Sequence, residues 1–294
     1  ARVADAVLMR CLGQAEAETG PLPRPWAFLA LGSQARAEAG ILTDQDGALV
    51  WDDAEADAGA DATFAAFASN AVRRFEEAGW PACRGGTHPG EARWRAGLST
   101  WTQTIANWAA LPEGQATLDA TLLADARVVA GDPRLGEAVA AALRRAVVDR
   151  PLFATRLAAQ ALEFKPQFGP LGGLHADAGG GLDLKIAFTP IVAVARLYAL
   201  RHGVGAQGTC ERLRRLAALG VLDEGLAKDA IAAWSFLAGE RLRSQAVRLA
   251  SGLAVDDRVS LDALGEWDQA LLRKALTVVA RLQERLRHDH PGLT

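Results

Sequence analysis

The sequence predicts an α+β protein: a small sheet domain over residues 1–135, opening with an N-terminal helix, followed by an all-helical bundle domain over residues 136–294. Three observations carry this reading. Extended apolar runs are confined to the first part of the chain, helical apolar spacing continues to its end, and a glycine-rich stretch interrupts the helical half. Half of the 294 residues are hydrophobic, enough to build a core, and no apolar run reaches the length of a membrane span.

Residues 3–18 carry Val3, Val7, Leu8, Cys11 and Leu12 at helical spacing, and Gly20 with the following prolines ends that helix. Trp26 to Leu31 reads as a strand running into Gly32-Ser33, then a short helix, then a second extended stretch from Ile41 to Trp51. Residues 61–79 and 93–110 are expected as helices. The first places Phe64, Phe67, Ala71 and Phe75 on one face, and the second carries Trp94, Trp101 and Trp108, read as core packed against the sheet. Leu118 to Val129 is expected as a strand that leaves through Gly131-Asp132-Pro133. Beyond residue 134 the strand signal disappears. Ile231, Trp234, Ala238, Leu242, Gln245 and Leu249 form one near-heptad seam, and Leu271, Leu272, Ala275, Val279, Leu282 and Leu286 a second, two faces expected to pair in a bundle. Residues 169–181, rich in glycine, are expected to form a flexible loop.

A net charge of −3 leaves no footprint for nonspecific nucleic-acid binding. Cys11, Cys83 and Cys210 are odd in number and lack CxxC spacing, which suggests neither a disulfide framework nor a zinc site, and the compartment reads as cytoplasmic. Cys83 is read as a packing residue. No signal peptide is visible, and the missing initiator Met reads as a piece of a longer chain. Gly203 to Gly208 matches GxGxxG formally but follows helical sequence, so it is read as a loop; His288-Asp289-His290 is read as a frayed polar tail.

The chemistry concentrates at Gly32-Ser33 and Asp44-Gln45-Asp46. In an extended segment residues i and i+2 share a face, so Asp44 and Asp46 place two carboxylates side by side. A divalent cation relieves their repulsion, and Mg²⁺ favours one or two carboxylates together with phosphate oxygens. Glycine allows close backbone approach to a phosphate, the Ser33 hydroxyl adds a donor, and Arg36 adds a charge-assisted bond. Asp125 is the best candidate for a third carboxylate, with Arg127 two residues on; the plainer reading is an Asp125–Arg127 ion pair at a sheet edge. Asp183 and Lys185 follow the glycine-rich stretch, either as phosphate ligands or as a helix cap beside a solvated lysine.

Leu31-Gly32-Ser33-Gln34-Ala35-Arg36-Ala37-Glu38 and Thr43-Asp44-Gln45-Asp46-Gly47-Ala48-Leu49 resemble the nucleotidyltransferase domain of bacterial signal-transduction proteins that carry CBS and cyclic-nucleotide-binding domains. Further landmarks match in order: Cys83-Arg84-Gly85-Gly86 before Trp94-Arg95, Asp125-Ala126-Arg127 before Gly131-Asp132, Leu182-Asp183-Leu184-Lys185, and Phe236-Leu237 with Arg241-Leu242-Arg243-Ser244-Gln245. That family belongs to the polymerase-beta-like nucleotidyltransferases, whose relatives include the PII-protein uridylyltransferases and glutamine-synthetase adenylyltransferases.

The resemblance implies a polymerase-beta-like sheet domain followed by a C-terminal substrate-binding domain. It implies that Asp44, Asp46 and Asp125 bind metal, two Mg²⁺ ions with Mn²⁺ as an alternative, and that Gly32 and Ser33 hold the triphosphate. The implied partners are an NTP, an acceptor protein of the PII type, and N-terminal CBS or cyclic-nucleotide-binding domains, with neither nucleic acid nor membrane. Two other readings stay open: a catalytically silent nucleotide-binding regulatory module, and a small-molecule nucleotidyltransferase. The chain departs from the family in carrying Gly47, where Asn is common, and in the segment Thr87 to Arg93, where an Asn-Pro usually precedes the Trp-Arg pair.

Overall fold

A computed structural model describes residues 2–41, 43–55, 59–81, 83, 85–165, 174 and 180–293. The chain divides into two units, Ala1–Ala39 with Thr43–Phe153, and Gly40–Leu42 with Ala154–Thr294.

The first unit contains α1 (Arg2–Thr19), β1 (Trp26–Ala30), α2 (Gly32–Ala35), β2 (Gly47–Trp51), α3 (Ala60–Glu77), β3 (Arg95–Gly97), α4 (Leu98–Ala110), α5 (Gly114–Leu123), β4 (Arg127–Gly131) and α6 (Pro133–Asp149). Its sheet has the order β3-β2-β1-β4. β1 runs antiparallel to both neighbours, with Trp26 opposite Trp51 and Ala30 opposite Gly47, while β3 is parallel to β2. A strand paired on both sides and packed on both faces reads as an unbroken apolar run, and Ala27 to Ala30 have no exposed surface.

α1 and α3 supply Leu8, Leu12, Phe64 and Phe67 to a core that includes Phe28, Leu49 and Trp51. The Trp51 ring stacks on Phe64 at 4.5 Å, and Phe67 meets Trp26 edge-on at 4.9 Å. On α4, Trp101 donates its indole N–H to the Leu49 carbonyl at 3.0 Å and lies between Trp94 and Trp108. The seven-residue tryptophan spacing is therefore packing, as expected.

Three expectations change. Residues 93–110 are not one helix, because β3 separates a single 3-10 turn, Ala92–Trp94, from α4. The extended stretch expected from Ile41 narrows to β2. Leu118 to Val129 is not one strand: α5 runs to Leu123, with Thr117, Ala120 and Leu123 buried at helical spacing, and β4 begins only at Arg127. A short apolar run satisfies either period, and here the buried triplet decides for helix. The turn after β4 is as expected, with Asp132 capping α6 by accepting from the Arg134 N–H at 2.9 Å. α6 packs on the sheet with Gly136 against Val128 and Leu29, and it belongs to the first unit.

The second unit contains most of α7 (Pro151–Glu163), then β5 (Gly181–Asp183), α8 (Leu184–Arg201), α9 (Thr209–Ala218), α10 (Glu224–Ala250), β6 (Arg258–Ser260) and α11 (Glu266–Asp289). β5 and β6 pair antiparallel, a two-stranded ribbon with no counterpart in the sequence reading. Three-residue strands are too short to show a period. α11 buries Leu272, Ala275, Val279, Leu282 and Leu286, as the spacing predicts. In α10 the seam is displaced: Ala230, Ala233, Leu237, Arg241 and Gln245 are buried, whereas Leu242 and Leu249 are exposed. Arg241 and Gln245 are drawn inward by the Asp257 carboxylate, to which both donate, at 2.5 and 2.8 Å.

Gly203 to Gly208 forms the connection between α8 and α9, as expected. The tail is docked instead of frayed. Asp289 accepts from the Tyr198 hydroxyl at 2.6 Å and from Arg285 at 2.8 Å, and the His290 ring lies 2.9 Å from Arg201. The loop expected at 169–181 lies outside the described residues except for Leu174, Gly180 and Gly181, the last of which opens β5. Among the described residues, no helix is long and apolar enough to cross a membrane.

Candidate active site

Antiparallel pairing brings the end of β1 to the start of β2. The Leu31 N–H continues the ladder by donating to the Asp46 carbonyl at 3.1 Å. Gly32 then turns the chain with φ +53°, and a Cβ there would stand 3.1 Å from Asp46 Oδ2. The bare glycine backbone therefore lies against the second aspartate, with half-buried Ser33 next in the chain. Two residues beyond α2, Ala37 has φ +61°, the one non-glycine with positive φ among the described residues. Such strained backbone persists only where surrounding contacts over-determine it.

Asp44 and Asp46 precede β2, each half-buried. Gln45 between them is buried and donates its side-chain amide to the Asp46 carbonyl at 2.9 Å. The Gly47 N–H donates to the Thr87 carbonyl at 3.0 Å, which draws the 85–87 segment alongside. Cys83 arrives with that segment. Asp44, Asp46 and Cys83 are all half-buried, and each offers one ligand atom within 4.8 Å of the others. Burial, then a hydrogen bond donated to the Asp46 carboxylate, pushes the Cys83 thiol up to about 11. Gly47 has a steric reason: a Cβ there would stand 2.5 Å from Phe28 Cζ, which leaves no room for the asparagine common in the family.

Asp125, the expected third carboxylate, is engaged by an arginine. Asp125 sits in the turn after α5, with no exposed surface, paired to the Arg36 guanidinium. Arg36 also donates to Glu38 at 2.8 Å. Burial alone would lower the Arg36 pKa, but the Asp125 and Glu38 carboxylates hold it above its ordinary value. Arg36 is therefore engaged by two carboxylates at once. Among the described residues, the group of donors within 4.8 Å of one another is Asp44, Asp46 and Cys83.

Arg127 is not paired with Asp125. It donates to Asp5 of α1 at 2.8 Å and to the Ala35 and Gln34 carbonyls at 3.0 and 3.3 Å, and so ties the last turn of α2 to α1 and β4. Its role in the structure is to hold the glycine-serine turn in place. In the second unit, Asp183 caps α8 by accepting from the Ile186 N–H at 2.9 Å, and Lys185 is exposed on the first turn.

Sequence reasoning missed Cys83, Glu38 and Asp5. Cys83 carried a signal, since it opens the Cys-Arg-Gly-Gly landmark, but nothing in its spacing tied it to the aspartates. Glu38 lies two residues from Arg36 and Asp5 is defined by Arg127, which only folding brings near.

The donor set fits a divalent ion at Asp44 and Asp46, whose oxygens suit a hard cation, with sulfur as a third and softer donor. Residues 1–115 match the family described as putative nucleotidyltransferase DUF294, and residues 151–290 match the family described as putative nucleotidyltransferase substrate binding domain. A search of curated proteins found no match. The first match contains Gly32, Ser33, Asp44, Asp46 and Cys83, whereas Asp125 and Arg127 fall between the two. The two matches span most of the chain in the family's own domain order, and the chain belongs to this family of nucleotidyltransferase domains joined to a substrate-binding domain.

Proposed function

We propose that this nucleotidyltransferase moves a nucleoside monophosphate from an NTP to an acceptor in a Mg²⁺-dependent reaction, with a regulatory protein of the PII type as the acceptor class. The observation that carries the reading is the approach of Gly32 to Asp46. It sets a side-chain-free backbone turn, suited to phosphate oxygens, directly against a carboxylate suited to the ion that accompanies them.

In this reading Asp44 and Asp46 hold the ion, which when bound neutralises triphosphate charge and polarises the α-phosphate. The Gly32 and Ser33 N–H groups and the Ser33 hydroxyl bind phosphate oxygens. Arg127 keeps that turn in register through the Gln34 and Ala35 carbonyls. Arg36 is a phosphate ligand once it exchanges Asp125 for a phosphate oxygen, and the same exchange releases Asp125 as the third carboxylate. Lys185, on the helix turn that Asp183 caps, is a phosphate-binding cation of the second domain.

Incubation with Mg²⁺ and each labelled NTP, with and without PII protein, tests the reading through pyrophosphate release and label on the acceptor. Release that persists in the Asp44→Asn/Asp46→Asn double variant would overturn it. The pairing of Asp125 with Arg36 favours one second reading, a module that binds nucleotide without transferring it; nucleotide binding with no pyrophosphate release selects that alternative.

A further inference from the structure

We infer that Cys83 makes this a mixed oxygen–sulfur metal site, one that also takes a thiophilic divalent ion of the Zn²⁺ class on Asp44, Asp46 and the Cys83 thiolate, in competition with Mg²⁺. The inference rests on the reading of Asp44 and Asp46 as metal ligands and adds the determinant of which metal they take. Three donors from two separate segments lie within 4.8 Å of one another, a spacing that one ion spans. The placement is built by backbone. The Gly47 N–H to Thr87 carbonyl bond at 3.0 Å and the Gln45 N–H to Pro81 carbonyl bond at 3.5 Å flank Cys83 on both sides in sequence. The Gly32 turn closes against the Asp46 oxygen on another side.

Hard Mg²⁺ gains little from sulfur and keeps its waters, whereas Zn²⁺ and Co²⁺ bind thiolate strongly and accept low coordination numbers. Two carboxylates alone do not discriminate in that direction. Adding one thiolate gives an O,O,S set with positions left over for phosphate oxygens or water. Binding forms the metal–sulfur bond and releases the thiol proton to solvent, so no oxidant or reductant is involved. The ion then occupies the carboxylates that Mg²⁺ needs, which makes a thiophilic metal an inhibitor of the Mg²⁺-supported reaction.

Titration of the intact chain with Co²⁺ reads the site directly. The expected result is a near-ultraviolet sulfur-to-cobalt charge-transfer band at one equivalent, absent in Cys83→Ser and in Asp44→Asn/Asp46→Asn. Zn²⁺ affinity by calorimetry falls roughly a hundredfold in Cys83→Ser. A measurement on the unmodified chain needs no variant to fold: one equivalent of Zn²⁺ slows alkylation of Cys83 at least about tenfold while leaving Cys210 unchanged, scored by peptide mass spectrometry. A Co²⁺ complex without the band, a band that survives Cys83→Ser, or unchanged alkylation of Cys83 overturns the inference. These readouts need no nucleotide. A positive cobalt band with no pyrophosphate release from any NTP upholds the metal site and removes the transfer reading, and release with no band does the reverse.

Discussion

Arg36 and Asp125, 89 residues apart in sequence, meet as an ion pair whose carboxylate has no exposed surface. Such a pair is costly to break from one side, because the buried Arg36 charge then keeps Glu38 as the remaining one of these two carboxylate partners. Asp125→Ala is expected to destabilise the first unit by about 3 to 5 kcal/mol, measured by urea denaturation. In a Glu38→Gln background, where no carboxylate is orphaned by loss of the arginine, replacing both partners as Arg36→Met/Asp125→Leu recovers most of that loss. A double variant no more stable than Asp125→Ala would show that the two residues are not energetically coupled.

Gly32→Ala introduces two penalties at one position: a non-glycine at φ +53° and a Cβ at 3.1 Å from Asp46 Oδ2. The backbone penalty is about 1 to 2 kcal/mol, and the crowding falls on the proposed phosphate turn, so pyrophosphate release should fall at least about tenfold. Gly13→Ala serves as the control. It lies inside α1 with nothing within 4 Å of the added methyl, and helix propensity predicts a gain of up to about 1 kcal/mol with unchanged turnover.

His202 and His290 are held below the ordinary histidine value of 6.5, first by burial and then by the Arg201 charge. The unfolded chain therefore binds more protons than the folded chain just below pH 6.5, and stability rises with pH across that window. The melting temperature should fall as the pH is lowered from 7 through 6.5 toward the depressed folded values. His290→Gln, which keeps a neutral side chain beside Arg201, should flatten part of that slope. An unchanged slope would place the titration elsewhere.

Gln283 of α11 is buried and donates to the Ala161 and Phe164 carbonyls at 3.2 and 2.7 Å, closing the end of α7. Gln283→Leu leaves both carbonyls without this donor and is expected to cost about 1 to 3 kcal/mol. Hydrogen exchange should locate the change at the C-terminal end of α7. Protection there that matches the unaltered protein would contradict the assignment.

Much of this protein was determined by local sequence. The apolar period of α1, α3 and α11, the glycine and serine after β1, and the two-residue spacing of Asp44 and Asp46 each depend on neighbours a few positions away, and each reads directly from the chain. Three-residue strands and a short apolar run such as Leu118 to Leu123 do not, since they fit more than one period until a sheet edge or a buried face selects one. Tertiary structure alone decided the charged and thiol partners: Arg36 with Asp125, Arg127 with Asp5, and Cys83 with Asp44 and Asp46. Burial makes an unpaired charge prohibitive, so a buried ion takes whichever counter-charge the fold delivers, and sequence distance carries no record of that choice.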